Sequence, residues 1–223
     1  MSLLSEKNLA MVHKFQYHGS DTSPIYQYIL SPFAQFCVEN FTPFWMAPNL
    51  VTLIGLLSSV LSTACVLIYN PSLGPDGPRW LSLLTAVGIF FYQTLDNMDG
   101  KQARRTGSSS ALGMLFDHGC DAINAGLCAI PMGSALGTGW TCNIFFTLWC
   151  GFVPFYFQTW EEYYLGAMHL PPINGPSEGL LIAVAMCLCS YFNGSQFWHE
   201  VNNEFKRGVL TNLCCYPIAS HSM

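Results

Sequence analysis

The sequence predicts an all-α, polytopic transmembrane helical bundle preceded by an N-terminal amphipathic interfacial helix. Three observations lead there. Charged residues make up 9% of the chain, against about 25% in an average soluble domain. Hydrophobic residues make up 51% and aromatics 14%. Uncharged apolar runs recur along the chain at lengths near the ~20 residues that cross a bilayer. So few charges could hardly cover a soluble domain of 223 residues. The net charge of −5 does not describe a solvated acidic face, because four of the thirteen acidic residues cluster inside apolar sequence. No basic run suggests nucleic acid as a partner.

The elements follow in order. Residues 1–46 read as an N-terminal cytosolic or interfacial segment. Met1 to Gly19 lacks the ~7–15-residue apolar core of a secretory signal peptide, so the first span is expected to act as an uncleaved insertion signal. Pro24 to Glu39 places Ile25, Ile29, Phe33, Phe36 and Cys37 near helical spacing. That reads as an amphipathic helix lying on the membrane, with a kink at Pro32; a loop packed on the spans is the alternative. Residues 47–198 form the transmembrane domain that carries the chemistry, with five expected spans: Ala47–Tyr69, Trp80–Leu95, Ala111–Leu136, Gly139–Trp160 and Leu180–Trp198. Pro48 suits a helix start. Asn70-Pro71 and Gly74 to Pro78 form a turn, and Thr106 to Ser110 a polar break. Asn193-Gly194 weakens the fifth span. Residues 199–223 form a divergent tail.

Lysine and arginine set the orientation. Lys7, Lys14, Lys101, Arg104 and Arg105 fall on one side and Arg79 on the other. The N-terminus and the Asp96–Ser110 connection are therefore expected in the cytosol. Lys206 and Arg207 would fall on the far side, which counts against the fifth span or its orientation. Gly133 and Gly137 make a small-xxx-small pair, read as packing within the chain, with a homodimer contact as the alternative. Asn193-Gly194-Ser195 matches a glycosylation acceptor, but its place at a membrane boundary argues against modification. Cys65, Cys128, Cys142, Cys150, Cys187 and Cys189 lie in apolar runs and read as small hydrophobes. The spacing of Cys187 and Cys189 does not suit zinc. Cys214-Cys215 offers a weak palmitoylation signal.

Four carboxylates carry the chemistry: Asp96, Asp99, Asp117 and Asp121. The first pair is spaced i, i+3 and the second i, i+4, so each lies on one helix face. A polar connection between the helices lets the pairs face each other. Four carboxylates packed together repel, and divalent cations remove that repulsion. An all-oxygen donor set favours Mg²⁺ or Mn²⁺ over zinc, and two ions could share the pairs. Helix-pairing aspartates or a cation pathway are the bland reading, but ionisable groups at membrane depth are costly and usually functional. Between the pairs, Gly100 and Ala103 allow close backbone approach. Arg104 can grip phosphate oxygens in a bidentate way. Gly113 lets the second helix sit near the same ligand.

Taken together, Asp96, Asp99, Gly100, Ala103, Arg104, Gly113, Asp117 and Asp121 fill the pattern D-x2-D-G-x2-A-R-x8-G-x3-D-x3-D. In this the sequence resembles the CDP-alcohol phosphotransferases. DGKQARRTGSSS, LFDHGCD, APNLVTLIGLL and the stretch from TWEEYY to LPPINGPSEGL look like the eukaryotic choline and ethanolamine phosphotransferase branch, over roughly residues 14 to 198. The resemblance implies that the four aspartates hold two Mg²⁺ ions, with Mn²⁺ as a substitute, and that Arg104 binds the CDP phosphates. It implies that Asn49 helps bind the nucleotide and that His118 is the general base. A histidine, with a reference pKa near ~6.5, suits abstraction of an alcohol proton; Asp121 is the rival base. The implied reaction moves phosphoethanolamine or phosphocholine from CDP-ethanolamine or CDP-choline to diacylglycerol, giving phosphatidylethanolamine or phosphatidylcholine and CMP. The implied setting is the endoplasmic reticulum or Golgi membrane, with membrane lipid around the protein and the site facing the cytosol. Members of that branch are longer, so a truncated chain that binds metal and nucleotide without turnover is the alternative. Aspartate-rich prenyltransferases also bind diphosphate through carboxylates, but the D-G-x2-A-R element is not theirs.

Overall fold

A computed structural model of the protein describes residues 19–214, and nearly all of it is helical. The α-helices are α1 Ser31–Phe41, α2 Pro48–Tyr69, α3 Arg79–Thr106, α4 Ala111–Ala135, α5 Cys142–Leu165, α6 Leu180–Asn193 and α7 Gln196–Cys214. Short π-helical turns at Tyr26–Leu30 and Gly175–Gly179 lead into α1 and α6. Two short strands, β1 Gly19–Asp21 and β2 Met168–Leu170, pair in parallel with Gly19 opposite Met168.

Local chemistry sets the helix ends that matter for the site. Pro48 occupies the first turn of α2, where its missing N–H costs nothing. α3 stops at Gly107, whose φ of 65° is the left-handed conformation that ends many helices. α4 restarts three residues after Gly107 with Ser110 as N-cap, its Oγ accepting from the Gly113 N–H at 3.1 Å. The polar break is thus only Gly107 to Ser110. It brings the last turns of α3 beside the first turns of α4.

α3 is the central helix. It packs against α1, α2, α4 and α6, while α4 also packs on α2 and α5. Three apolar clusters hold this arrangement. Ala34, Cys37 and Val38 of α1 meet Val51 and Met98. Ala86 and Ile89 meet Met132, Ala135 and Cys187. Val66, Leu73, Leu81 and Ile144 form the third, at the far end of the molecule from the carboxylates.

Polar contacts fasten the N-terminal segment to the rest. Gln102 donates to the carbonyls of Pro43 and Met46 at 3.1 and 3.0 Å. Arg105 donates to the carbonyls of Val38 and Thr42 at 2.8 and 2.9 Å, closing the C-terminal end of α1. Lys101 Nζ donates to Ser31 Oγ at 2.8 Å. Partial burial, and then the charge of Arg104, lower the Lys101 pKa. Further round, the Asp21 carboxylate accepts from the Ser23 N–H, the Asn174 amide and the Ser177 hydroxyl at 2.7, 3.1 and 3.0 Å. Gln93 of α3 donates to the carbonyls of Pro176 and Ser177. The loop before α6 is therefore tied to both β1 and α3.

The expected spans need correction in places. Two helices among the described residues are long and apolar enough to cross a membrane by length and composition: Pro48–Tyr69 and Gly175–Asn193. The first matches Ala47–Tyr69. The second starts earlier than Leu180 and ends at Asn193, because Gly194 turns the chain at φ 86° and α7 begins at Gln196. Leu180–Trp198 is therefore not one helix. Trp80–Leu95 is the first part of a longer continuous helix that carries Asp96 and Asp99 onward to Thr106. The N-terminal stretch is helical over Tyr26–Leu30 and Ser31–Phe41, and of the apolar positions singled out there only Cys37 turns fully inward. Leu30, Ala34, Cys37 and Val38 face the protein, while Ile29, Phe33 and Phe36 are exposed. The packing of α1 on α3, with Val51 and Met98 filling the interface, decides this.

Gly133 lies against α5, where an added Cβ would come within 3.0 Å of Ile144 Cδ1. Gly137 lies beyond the end of α4, against Pro75. Both are used within the chain, as the packing reading expects. The Ser195 hydroxyl is buried and donates to the Ser134 carbonyl at 3.3 Å. Cys37, Cys65, Cys120, Cys128, Cys142, Cys150, Cys187 and Cys189 are free thiols; Cys187 is buried, whereas Cys142 and Cys150 are exposed. Lys7 and Lys14, the region before Gly19, Cys215 and the side chains of Lys206, Arg207 and Cys214 lie outside the described residues.

Candidate functional site

The carboxylates meet where the C-terminal half of α3 faces the N-terminal half of α4. One oxygen each of Asp96, Asp99 and Asp117 lie within 4.8 Å of one another. Asp121, one turn after Asp117, stands beside Asp96 and accepts from the Tyr92 hydroxyl at 2.7 Å. The i, i+3 and i, i+4 pairs thus face each other, as their spacing implied. Asp99 is the most enclosed, and Thr52 of α2 donates its hydroxyl to Asp99 Oδ2 at 2.5 Å.

This arrangement is poor chemistry for side chains left to themselves. Asp117 Oδ1 is buried without a hydrogen-bond partner among the described residues. A buried carboxylate oxygen without a donor is expensive, and neighbouring like charges add to that cost. A divalent cation answers both problems, and the all-oxygen donor set suits Mg²⁺ or Mn²⁺. The residues present therefore fit the metal that the sequence implied.

The other expected residues gather round the same end. Asn49 opens α2, and its Oδ1 would lie 3.6 Å from a Cβ placed on Gly113. Gly100 follows Asp99 directly, and a Cβ there would meet Arg104 Nη1 at 3.6 Å. Ala103 is half-buried one position before Arg104. Of the three basic side chains here, Lys101 and Arg105 are committed to α1 and the loop after it. The Arg104 side chain is exposed and makes no hydrogen bond among the described residues. It is the guanidinium left over for an anion at this end.

His118, on α4 next to Asp117, points its Nδ1 toward Glu162 Oε2 of α5 at 3.7 Å. That is an ion-pair separation, longer than a formed hydrogen bond. Both side chains are mostly enclosed. Glu162, Thr52 and Tyr92 were not expected from the sequence. Thr52 sits three residues after Asn49, and Tyr92 one turn before Asp96, so helical spacing offered a signal for both. Glu162 is 44 residues beyond His118. Its only local signal is a pair of acids closing an otherwise uncharged apolar run.

Comparison with known proteins agrees with this geometry. The family model described as CDP-alcohol phosphatidyltransferase matches residues 45–201. The chain is 44% identical over 200 residues to a CDP-alcohol phosphatidyltransferase class-I family protein of Dictyostelium discoideum, covering 88% of this chain and 49% of that protein. It is 40% identical over 200 residues to choline/ethanolaminephosphotransferase 1 of Arabidopsis thaliana, covering 90% and 51%. With choline/ethanolaminephosphotransferase 1 of Saccharomyces cerevisiae the identity is 38% over 196 residues, covering 87% and 50%. The chain spans about half the length of these curated relatives. The family match takes in α2 to α6 and every carboxylate of the cluster, and by it this chain belongs to the CDP-alcohol phosphatidyltransferase family.

Proposed function

We propose that the chain is a polytopic membrane transferase that moves phosphoethanolamine or phosphocholine from its CDP derivative to diacylglycerol, releasing CMP. The observation that carries this reading is the meeting of Asp96, Asp99, Asp117 and Asp121 between α3 and α4. Relatives of choline/ethanolaminephosphotransferase name support the substrate class.

Asp96, Asp99, Asp117 and Asp121 would hold two Mg²⁺ ions, or Mn²⁺ in their place. Ions held there would supply positive charge against the diphosphate and the departing CMP. Arg104 grips phosphate oxygens with its planar fork. Gly100, Ala103 and Gly113 keep the helix surfaces bare where the diphosphate approaches, and Asn49 offers its amide to the nucleotide. His118 takes the proton of the diacylglycerol hydroxyl. Its Nδ1 faces Glu162, which leaves Nε2 as the accepting atom. The hydroxyl oxygen bonds to the β-phosphorus, the bond from that phosphorus to the CMP oxygen breaks, and CMP leaves with the electron pair.

The surface supports a membrane setting. α5 buries only Ile144 and exposes Phe145, Phe146 and Trp149. Apolar patches of that kind on a soluble protein mark an interaction surface, and lipid is the partner proposed here. The exposed Ile29, Phe33, Phe36, Phe44 and Trp45 suit α1 and the loop after it to the bilayer interface. The carboxylate end is then cytosolic, on an endoplasmic reticulum or Golgi membrane, and diacylglycerol enters sideways from the bilayer.

The purified chain, given Mg²⁺, diacylglycerol and either CDP-ethanolamine or CDP-choline, is expected to release CMP. Mg²⁺-dependent CDP binding without CMP release would favour the alternative of a non-catalytic chain; no binding at all would sink both readings. Arg104→Lys keeps the charge and loses the bidentate fork. It is expected to weaken CDP binding while leaving binding of free cytidine unchanged. Equal weakening of both, measured by titration, would assign Arg104 to the fold.

A further inference from the structure

Tyr92 does more than fill the interface between α2, α3 and α4. It is 3% exposed, and its hydroxyl donates across from α3 to Asp121 Oδ1 on α4 at 2.7 Å. It lies four residues before Asp96, on the same helix face. The ring has a seat made by an absent side chain. A Cβ on Gly55 of α2 would lie 3.3 Å from Tyr92 Cδ2 and 3.4 Å from Leu95 Cβ. Alanine at Gly55 would therefore press on the ring that carries the hydroxyl. The APNLVTLIGLL stretch thus contributes a glycine whose use is unexplained by nucleotide binding alone.

We infer that Tyr92, seated by Gly55, is a positioning residue that fixes the orientation of Asp121 for cation binding. This rests on the reading of the four carboxylates as cation ligands. A hydrogen bond to an ionised carboxylate is among the stronger ones. With Oδ1 held by the phenol, the Asp121 carboxyl is fixed about its last torsion in its place beside Asp96. Without the phenol the carboxyl loses its donor and can rotate about its last torsion. Partners of this kind, one step out from the ligands, are typically worth ~10–100-fold in metal affinity.

The test uses the full chain in detergent, with thermal unfolding followed at a saturating level of CDP. Mg²⁺ is titrated, and its half-saturating concentration is read from the rise in midpoint. Tyr92→Phe keeps the ring and removes the donor. It is expected to raise the half-saturating Mg²⁺ about tenfold while leaving CDP affinity at saturating Mg²⁺ unchanged. A tyrosine that only packs would lower the midpoint without Mg²⁺ and leave the half-saturating Mg²⁺ unmoved, and that result overturns the inference. Equal loss of Mg²⁺ and CDP affinity also overturns it. If the wild-type chain shows no Mg²⁺ response, the ligand reading itself fails and this inference falls with it. Should Tyr92→Phe not fold, Gly55→Ala tests the same contact by displacing the ring. A raised half-saturating Mg²⁺ supports the assignment, and an unchanged one overturns it.

Discussion

Asp117→Asn is expected to abolish Mg²⁺-dependent CDP binding. Asp117 shares the close three-carboxylate group with Asp96 and Asp99, and its Oδ1 is buried with no donor among the described residues. Asparagine keeps the shape but withdraws a full negative charge from the centre of the cluster. The loss should exceed the ~10–100-fold that an outer partner costs. The same change should not weaken the fold without metal, because it removes like-charge repulsion among buried carboxylates. Two thermal unfolding curves read both effects. Without Mg²⁺ the mutant midpoint should equal or exceed that of the wild type. With Mg²⁺ and CDP the wild type should rise and the mutant should not. An unchanged Mg²⁺-dependent rise in the mutant would remove Asp117 from the ligand set.

His118→Ala should fail differently. The four carboxylates stay in place, so CDP-alcohol should still bind with Mg²⁺. The chemical step should slow by on the order of 10²–10⁴-fold, the usual worth of a positioned general base. Asp121→Ala should weaken Mg²⁺ binding as well as rate, because Asp121 stands beside Asp96 within the cluster. Single-turnover CMP release separates these outcomes, measured on the chain alone and after joining it to the later helices of a longer relative. If His118→Ala keeps full turnover across neutral pH, Asp121 inherits the role of base. If it abolishes Mg²⁺-dependent binding, His118 belongs to the packing or the ligand shell. The nearby Glu162 favours His118 as the base, since a carboxylate facing Nδ1 at 3.7 Å stabilises the imidazolium that forms when Nε2 takes a proton.

Short-range pattern determines much of this protein. The carboxylate spacings are helix periods, and helix periods are local, so α3 and α4 present each pair on one face as expected. The start of α2 at Pro48 and the polar break before Ser110 are likewise local chemistry. The order of residues from Asp96 to Asp121 was enough to name a family and its expected ligands. Tertiary packing decided the rest. Which face of α1 is buried depends on Val51 and Met98, which come from two other helices. Lys101, Arg104 and Arg105 look alike in sequence, but α1 and its loop occupy two of them and leave the third. β1 meets β2 across nearly 150 residues. Glu162 reaches His118 only because α5 folds back along α4. Such contacts join residues far apart in the chain, and their geometry comes from how side chains fill the space between helices. Periodicity gives the face of each helix, while the partner that face meets is set by packing.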